Sequence, residues 1–87
     1  MNDWLEYFDQ LLSEAAEYQD VWDTLPSQID IDNARNIIRF SNNITRVVIS
    51  PDGAVIIRKE IEREIHIIMI YQGEISLLFD IPKENFL

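Results

Sequence analysis

The chain has 87 residues, enough for one small domain, and at 47% hydrophobic and 10% aromatic it has the material for a core. Sixteen acids against seven bases give a net charge of −9, which argues against direct binding to DNA, RNA or anionic lipid. The absence of Cys excludes disulfides, thiolate metal sites and thiol nucleophiles together.

The first residues carry acids where a signal peptide needs bases, and no stretch approaches the roughly 18 uninterrupted apolar residues of a membrane span. A soluble cytoplasmic protein with no membrane partner is the expectation. The charge is unevenly placed. Residues 1–32 hold nine acids and no base, whereas residues 33–87 hold seven of each and sum to zero.

The first element is a helix. Trp4, Phe8, Leu11, Ala15, Tyr18, Trp22 and Leu25 recur at alternating steps of four and three, the spacing of one helical face. At about 100° per residue the acids fall on the opposite side. Asp3 with Glu6 resembles a capping box, with Asn2 as an alternative cap, and Pro26 is the expected stop. The pattern predicts a helix over 3–24, with its aromatic groups in the core and Tyr7 at the stripe's edge.

Beyond Pro26 the pattern turns to strands, predicted at about 36–40, 44–50, 54–60, 65–71 and 74–81. These β-branched and aromatic runs are separated by SNN, PDG, IERE and QG. Two links stay open. Residues 28–36 fit a short helix capped by Asp32 as well as extended chain, and 59–64 fit a helical turn or one long bent strand. The fold class expected is α+β: one long amphipathic helix packed on a four- to five-stranded antiparallel meander.

Strand parity places Val55, Ile57, Ile61, Ile65, Ile67, Met69, Tyr71, Ile75, Leu77, Phe79 and Ile81 under the helix. It leaves Ile56, Ile68, Ile70 and Leu78 among polar residues on the second face. Either residues 26–43 cover that face or those four aliphatics form the interface of a homodimer or oligomeric adaptor.

Catalytic and metal chemistry find little support. His66 is the only histidine, within an apolar strand. Both glycines, Gly53 and Gly73, sit at turns, so no glycine-rich phosphate loop can form. Asp30-x-Asp32-Asn33 looks like the start of a calcium loop, but Ala34 stands where the third acid belongs; a polar turn with a helix cap fits better. The prediction is a non-enzyme with no metal and no cofactor.

The acidic face comprises Asp3, Glu6, Asp9, Glu14, Glu17, Asp20 and Asp23. Like-charge pairs three residues apart cost roughly 0.2–0.5 kcal/mol each. Acids near a helix C-terminus cost a further 0.3–1 kcal/mol or so. Seven charges over about 20 residues at ~1.5 Å rise give one per roughly 4–5 Å, near the ~3.4 Å of a single DNA strand.

The face therefore suits a basic protein surface, such as a nuclease or other nucleic-acid-binding partner. Small acidic inhibitors encoded by phages and the immunity proteins of toxins are analogous in size and charge. The competing account is a solubilising face, or one paired internally with Arg35, Arg39, Arg46 or Arg58. The terminal Phe86-Leu87 is read as a tucked tail or a docking peptide.

Overall fold

The amphipathic stripe at the N-terminus folds as a helix, but a shorter one than its spacing suggests. The computed structural model describes residues 3–18, 20–21 and 24–82, with side chains as far as Leu77. Helix α1 spans Asp3–Glu17. The Tyr18 N–H closes its last turn on Glu14 O at 2.8 Å, and the Val21 N–H then reaches only three residues back, to Tyr18 O.

So the helix ends well before Pro26. Its last turn contains no base, and each further turn would place Asp20 and then Asp23 at the negative end of the dipole. Phe8 and Ala15 are fully buried, with Trp4, Leu5, Leu11 and Leu12 packed partly against the core. Tyr18, expected in that stripe, lies past the helix end and is exposed. Asn2, Trp22, Asp23 and the Phe86-Leu87 tail lie outside the described residues.

A second helix, α2 (Gln28–Phe40), replaces the strand expected at 36–40 and resolves 28–36 as helical. Its N-cap is Ser27 rather than Asp32: extended at ψ 162°, Ser27 accepts the Asp30 N–H on its Oγ at 3.3 Å. The run of Ile37, Ile38 and Phe40 imitates a strand locally. Ala34 and Ile38 nevertheless share a helical face one turn apart, and both are fully buried. Isoleucine in a helix costs a few tenths of a kcal/mol, whereas burying one yields about 1.5–3 kcal/mol. Burial decides the outcome.

Four strands follow: β1 (Ile44–Ile49), β2 (Val55–Ile61), β3 (Glu64–Tyr71) and β4 (Glu74–Pro82), paired antiparallel in the order β1-β2-β3-β4. The fold is α+β, with two helices and a four-stranded antiparallel sheet. Pro51 opens the first hairpin loop, and the Gly53 N–H bonds to Ser50 O at 3.0 Å. Gly53 takes φ +92°, and a Cβ there would come within 3.1 Å of Leu25 O. Residues 59–64 form neither a helical turn nor a continuous strand. Ile61 pairs with Glu64 across the two-residue loop Glu62–Arg63, with Glu62 at φ 55°. Gln72 and Gly73, both at positive φ, make the third hairpin loop, as a type I′ turn requires.

These two-residue loops correct the predicted faces. Pairing Ile61 with Glu64 puts odd residues of β2 beside even residues of β3, so parity inverts at each such hairpin. Val47, Ile57, Ile68 and Leu77 form one cross-strand row, and Ile49, Val55, Ile70 and Ile75 the next. Both rows are on the helix side. Ile70 is fully buried in the core and Ile68 packs against it, so neither belongs to a second-face interface. Ile56 does lie on the second face, beside Val48, Met69 and Ser76. The Leu78 side chain lies outside the described residues.

Residues 26–43 do not cover that second face. Helix α1 packs on β1 and on α2, while α2 packs on β2 and β3, all on one side of the sheet.

Candidate protein-interaction surfaces

On α1 the exposed residues include Asp3, Glu6, Asp9, Glu14 and Glu17, all on the side turned away from Phe8 and Ala15. Asp20, in the turn that follows, is exposed as well. The predicted acidic residues that can be placed thus form a continuous ridge along the outer surface of the helix layer. Asp23 alone lies outside the described residues.

Internal neutralisation of this ridge is slight. Arg35 on α2 donates from Nη2 to Asp9 Oδ1 at 2.7 Å. Both side chains are about half exposed, so the pair contributes no more than about 1 kcal/mol. Arg58 stands 3.9 Å from Glu60, on the sheet rather than beside the helix. Among the described residues no ion pair joins Asp3, Glu6, Glu14, Glu17 or Asp20 to a base.

At the N-terminal end of the ridge lies a cleft of about 410 Å³, lined by Asp3, Trp4, Tyr7, Thr45 and Arg46. The Trp4 and Tyr7 rings meet edge to face, with centroids 5.3 Å apart. The helical spacing put Tyr7 at the stripe's margin, but nothing in the sequence signalled Thr45 and Arg46 as its neighbours. They come from the start of β1, brought there by the packing of α1 on that strand.

The most constrained polar group is Asp30, 2% exposed. Its carboxylate accepts the Gln72 N–H at 3.0 Å and the Gly73 N–H at 2.8 Å, one on each oxygen. The first turn of α2 is thereby clasped to the β3–β4 hairpin loop. A type I′ turn leaves both central N–H groups without strand partners, and a buried carboxylate satisfies them. Asp32 points elsewhere, accepting from Gln28 Nε2 at 3.0 Å on the exposed side. The Asp-x-Asp pattern is thus divided between core and solvent. Among the described residues no group of three or more His, Asp or Glu could hold a metal ion.

His66 is half-buried on the helix side of β3, in register with Lys59 and Asp80. No helix among the described residues is long and apolar enough to cross a membrane. Compared with protein-family models, with curated proteins and with solved structures, the chain matches none.

Proposed function

We propose that this protein is a small acidic protein-binding inhibitor or decoy, whose α1 ridge occludes a basic, nucleic-acid-handling surface on a partner protein. The observation that supports this reading is the ridge itself. Five acids of the described α1 are exposed, and only Asp9 has an ion-pair partner. A helix selected for stability and solubility alone gains from interleaved Lys or Arg; here the repulsion is retained. Burial of Phe8 and Ala15 anchors the helix from beneath, so the ridge is displayed on a fixed support.

Binding of this kind is steered by charge and weakened by salt. The test is affinity capture on the immobilised protein from lysate of its own cellular source, with a Glu6→Lys/Glu14→Lys/Glu17→Lys variant alongside. The expected result is retention of a basic nucleic-acid-binding protein that elutes between about 50 and 500 mM salt and is not retained by the variant. Equal retention by both proteins, or capture of no basic protein, overturns the proposal.

A further inference from the structure

The two edges of the sheet differ in how they are covered. The β1 edge lies beneath α1, and its pairing with β2 is irregular between Ile44 and Arg46. Irregularity and cover are both ways of protecting an edge strand. The helix layer stops short of β4, whose helix-side residues Ile75 and Leu77 are 52% and 67% exposed. On α2, Ile29 and Phe40 are exposed as well, at 57% and 80%. Ile75 and Leu77 thus set two exposed aliphatic side chains along the edge of the sheet that β4 forms.

The register identifies which backbone groups face outward. Tyr71 and Glu74 close a two-residue loop, so they exchange hydrogen bonds, and bonded and non-bonded pairs then alternate along the ladder. Ser76 is bonded to β3 through Met69. Ile75 and Leu77, opposite Ile70 and Ile68, direct their N–H and C=O groups away from β3.

We propose that a second copy of this chain pairs with this edge, β4 against β4 antiparallel, about a two-fold axis through Ser76. Ile75 then lies opposite Leu77 of the second copy, and Leu77 opposite its Ile75. Four backbone hydrogen bonds form, and four exposed aliphatic side chains become one cluster on the helix side. Between the hairpin loop and the register shift at His66/Ile68, the outward-facing residues are Ile75 and Leu77, a pair self-complementary under this symmetry, which favours a second copy over an unrelated strand.

Charge favours the same edge. Joining two copies at β4 leaves the acidic α1 helices at opposite ends of an eight-stranded sheet. At ~4.8 Å per strand that is about 34 Å, against a Debye length near 8 Å. Joining them at β1 would set the two acidic ridges side by side. The interface is independent of the ridge's own role, so the two proposals fail separately.

Sedimentation equilibrium and hydrogen exchange on the full chain provide the test. The expected result is a dimer of twice the 10.3 kDa chain mass at about 100 μM, with the Ile75 and Leu77 amides increasingly protected as concentration rises. Leu77→Lys sets a charge into the cluster and should raise the dimer dissociation constant about 100-fold. Leu77→Pro removes one outward N–H while leaving the bonded positions Glu74 and Ser76 intact, and should give a monomer with unchanged circular dichroism. If Leu77→Pro unfolds, Ile75→Lys replaces it.

A monomer at that concentration overturns the proposal. So does a dimer in which the Ile75 and Leu77 amides exchange freely, or one that survives the Lys variants, since either result puts the interface elsewhere.

Discussion

Helices α1 and α2 lie side by side on the same sheet, yet they are held in different ways. On α2, polar groups fix the position: Ser27 caps its first turn, and the buried Asp30 carboxylate locks that turn to the β3–β4 loop. Its charges are mixed, with Arg35 and Arg39 balancing Asp30 and Asp32 in formal charge. On α1 the sequence offers no base, and attachment rests on Phe8, Ala15 and the half-buried residues around them. A helix held by apolar burial leaves its outer face unconstrained. That is the arrangement in which a repulsive row of carboxylates can persist, because the groups that hold the helix and the groups that carry the charge are on opposite sides.

The contrast is broken most strongly at the two anchors. Phe8→Ala should destabilise the fold by about 3–5 kcal/mol, since Phe8 is fully buried at the junction of α1 with the sheet. Urea unfolding measures it, and the loss should be general rather than local. Asp30→Ala should cost about 1–3 kcal/mol, because two part-buried N–H groups lose their carboxylate acceptor. Here the signature is local: the Gln72 and Gly73 amides should exchange faster than the rest of the sheet. Asp30→Asn keeps one acceptor oxygen and should cost about half as much. Equal costs for the Ala and Asn variants would show that packing, not the paired hydrogen bonds, gives Asp30 its importance.

How much of this was legible depends on the range of the interactions. The α1 stripe and the four strands of the sheet were readable because their patterns are local and their turns, PDG and QG, carry their own chemistry. The Asn-Ile-Ile-Arg-Phe run was misread as a strand because β-branched content outweighed the longer step from Ala34 to Ile38. The sheet faces were misassigned for a different reason. Parity depends on the number of residues in each loop, and the Glu62–Arg63 turn has no glycine to announce it. One misplaced turn transferred Ile68 and Ile70 from core to surface. Asp30 was the least visible of all: its partners Gln72 and Gly73 are more than forty residues away. In the candidate site the ridge was legible, because seven acids without a base can be seen in any local window. The cleft with Thr45 and Arg46 was not, because it exists only once α1 lies on β1.

Smaller substitutions sharpen the comparison between the helices. Ser27→Ala removes the acceptor for the Asp30 N–H and should cost about 0.5–2 kcal/mol, toward the lower end given the 3.3 Å bond. No residue on α1 is expected to show a comparable polar loss. Removing the inter-helix ion pair with Arg35→Ala should cost less than about 1 kcal/mol, because both groups are half exposed.

The last substitution acts in the opposite direction. Glu17→Lys places a base in the final turn of α1, where none is present, and removes the like-charge spacing of Glu14 and Glu17 three residues apart. It should therefore stabilise the protein by about 0.3–1 kcal/mol at low salt. Raising sodium chloride to about 1 M shortens the Debye length to ~3 Å, and the gain should then shrink toward zero. Thermal melts of both proteins at the two salt concentrations measure the difference. A stabilised variant establishes that the native acid is retained at a cost, which a ridge serving only solubility does not require. An unchanged or lower melting point at low salt would mean that the carboxylates of α1 are not in conflict, and the physical case for an acidic ridge kept for binding would lose its footing.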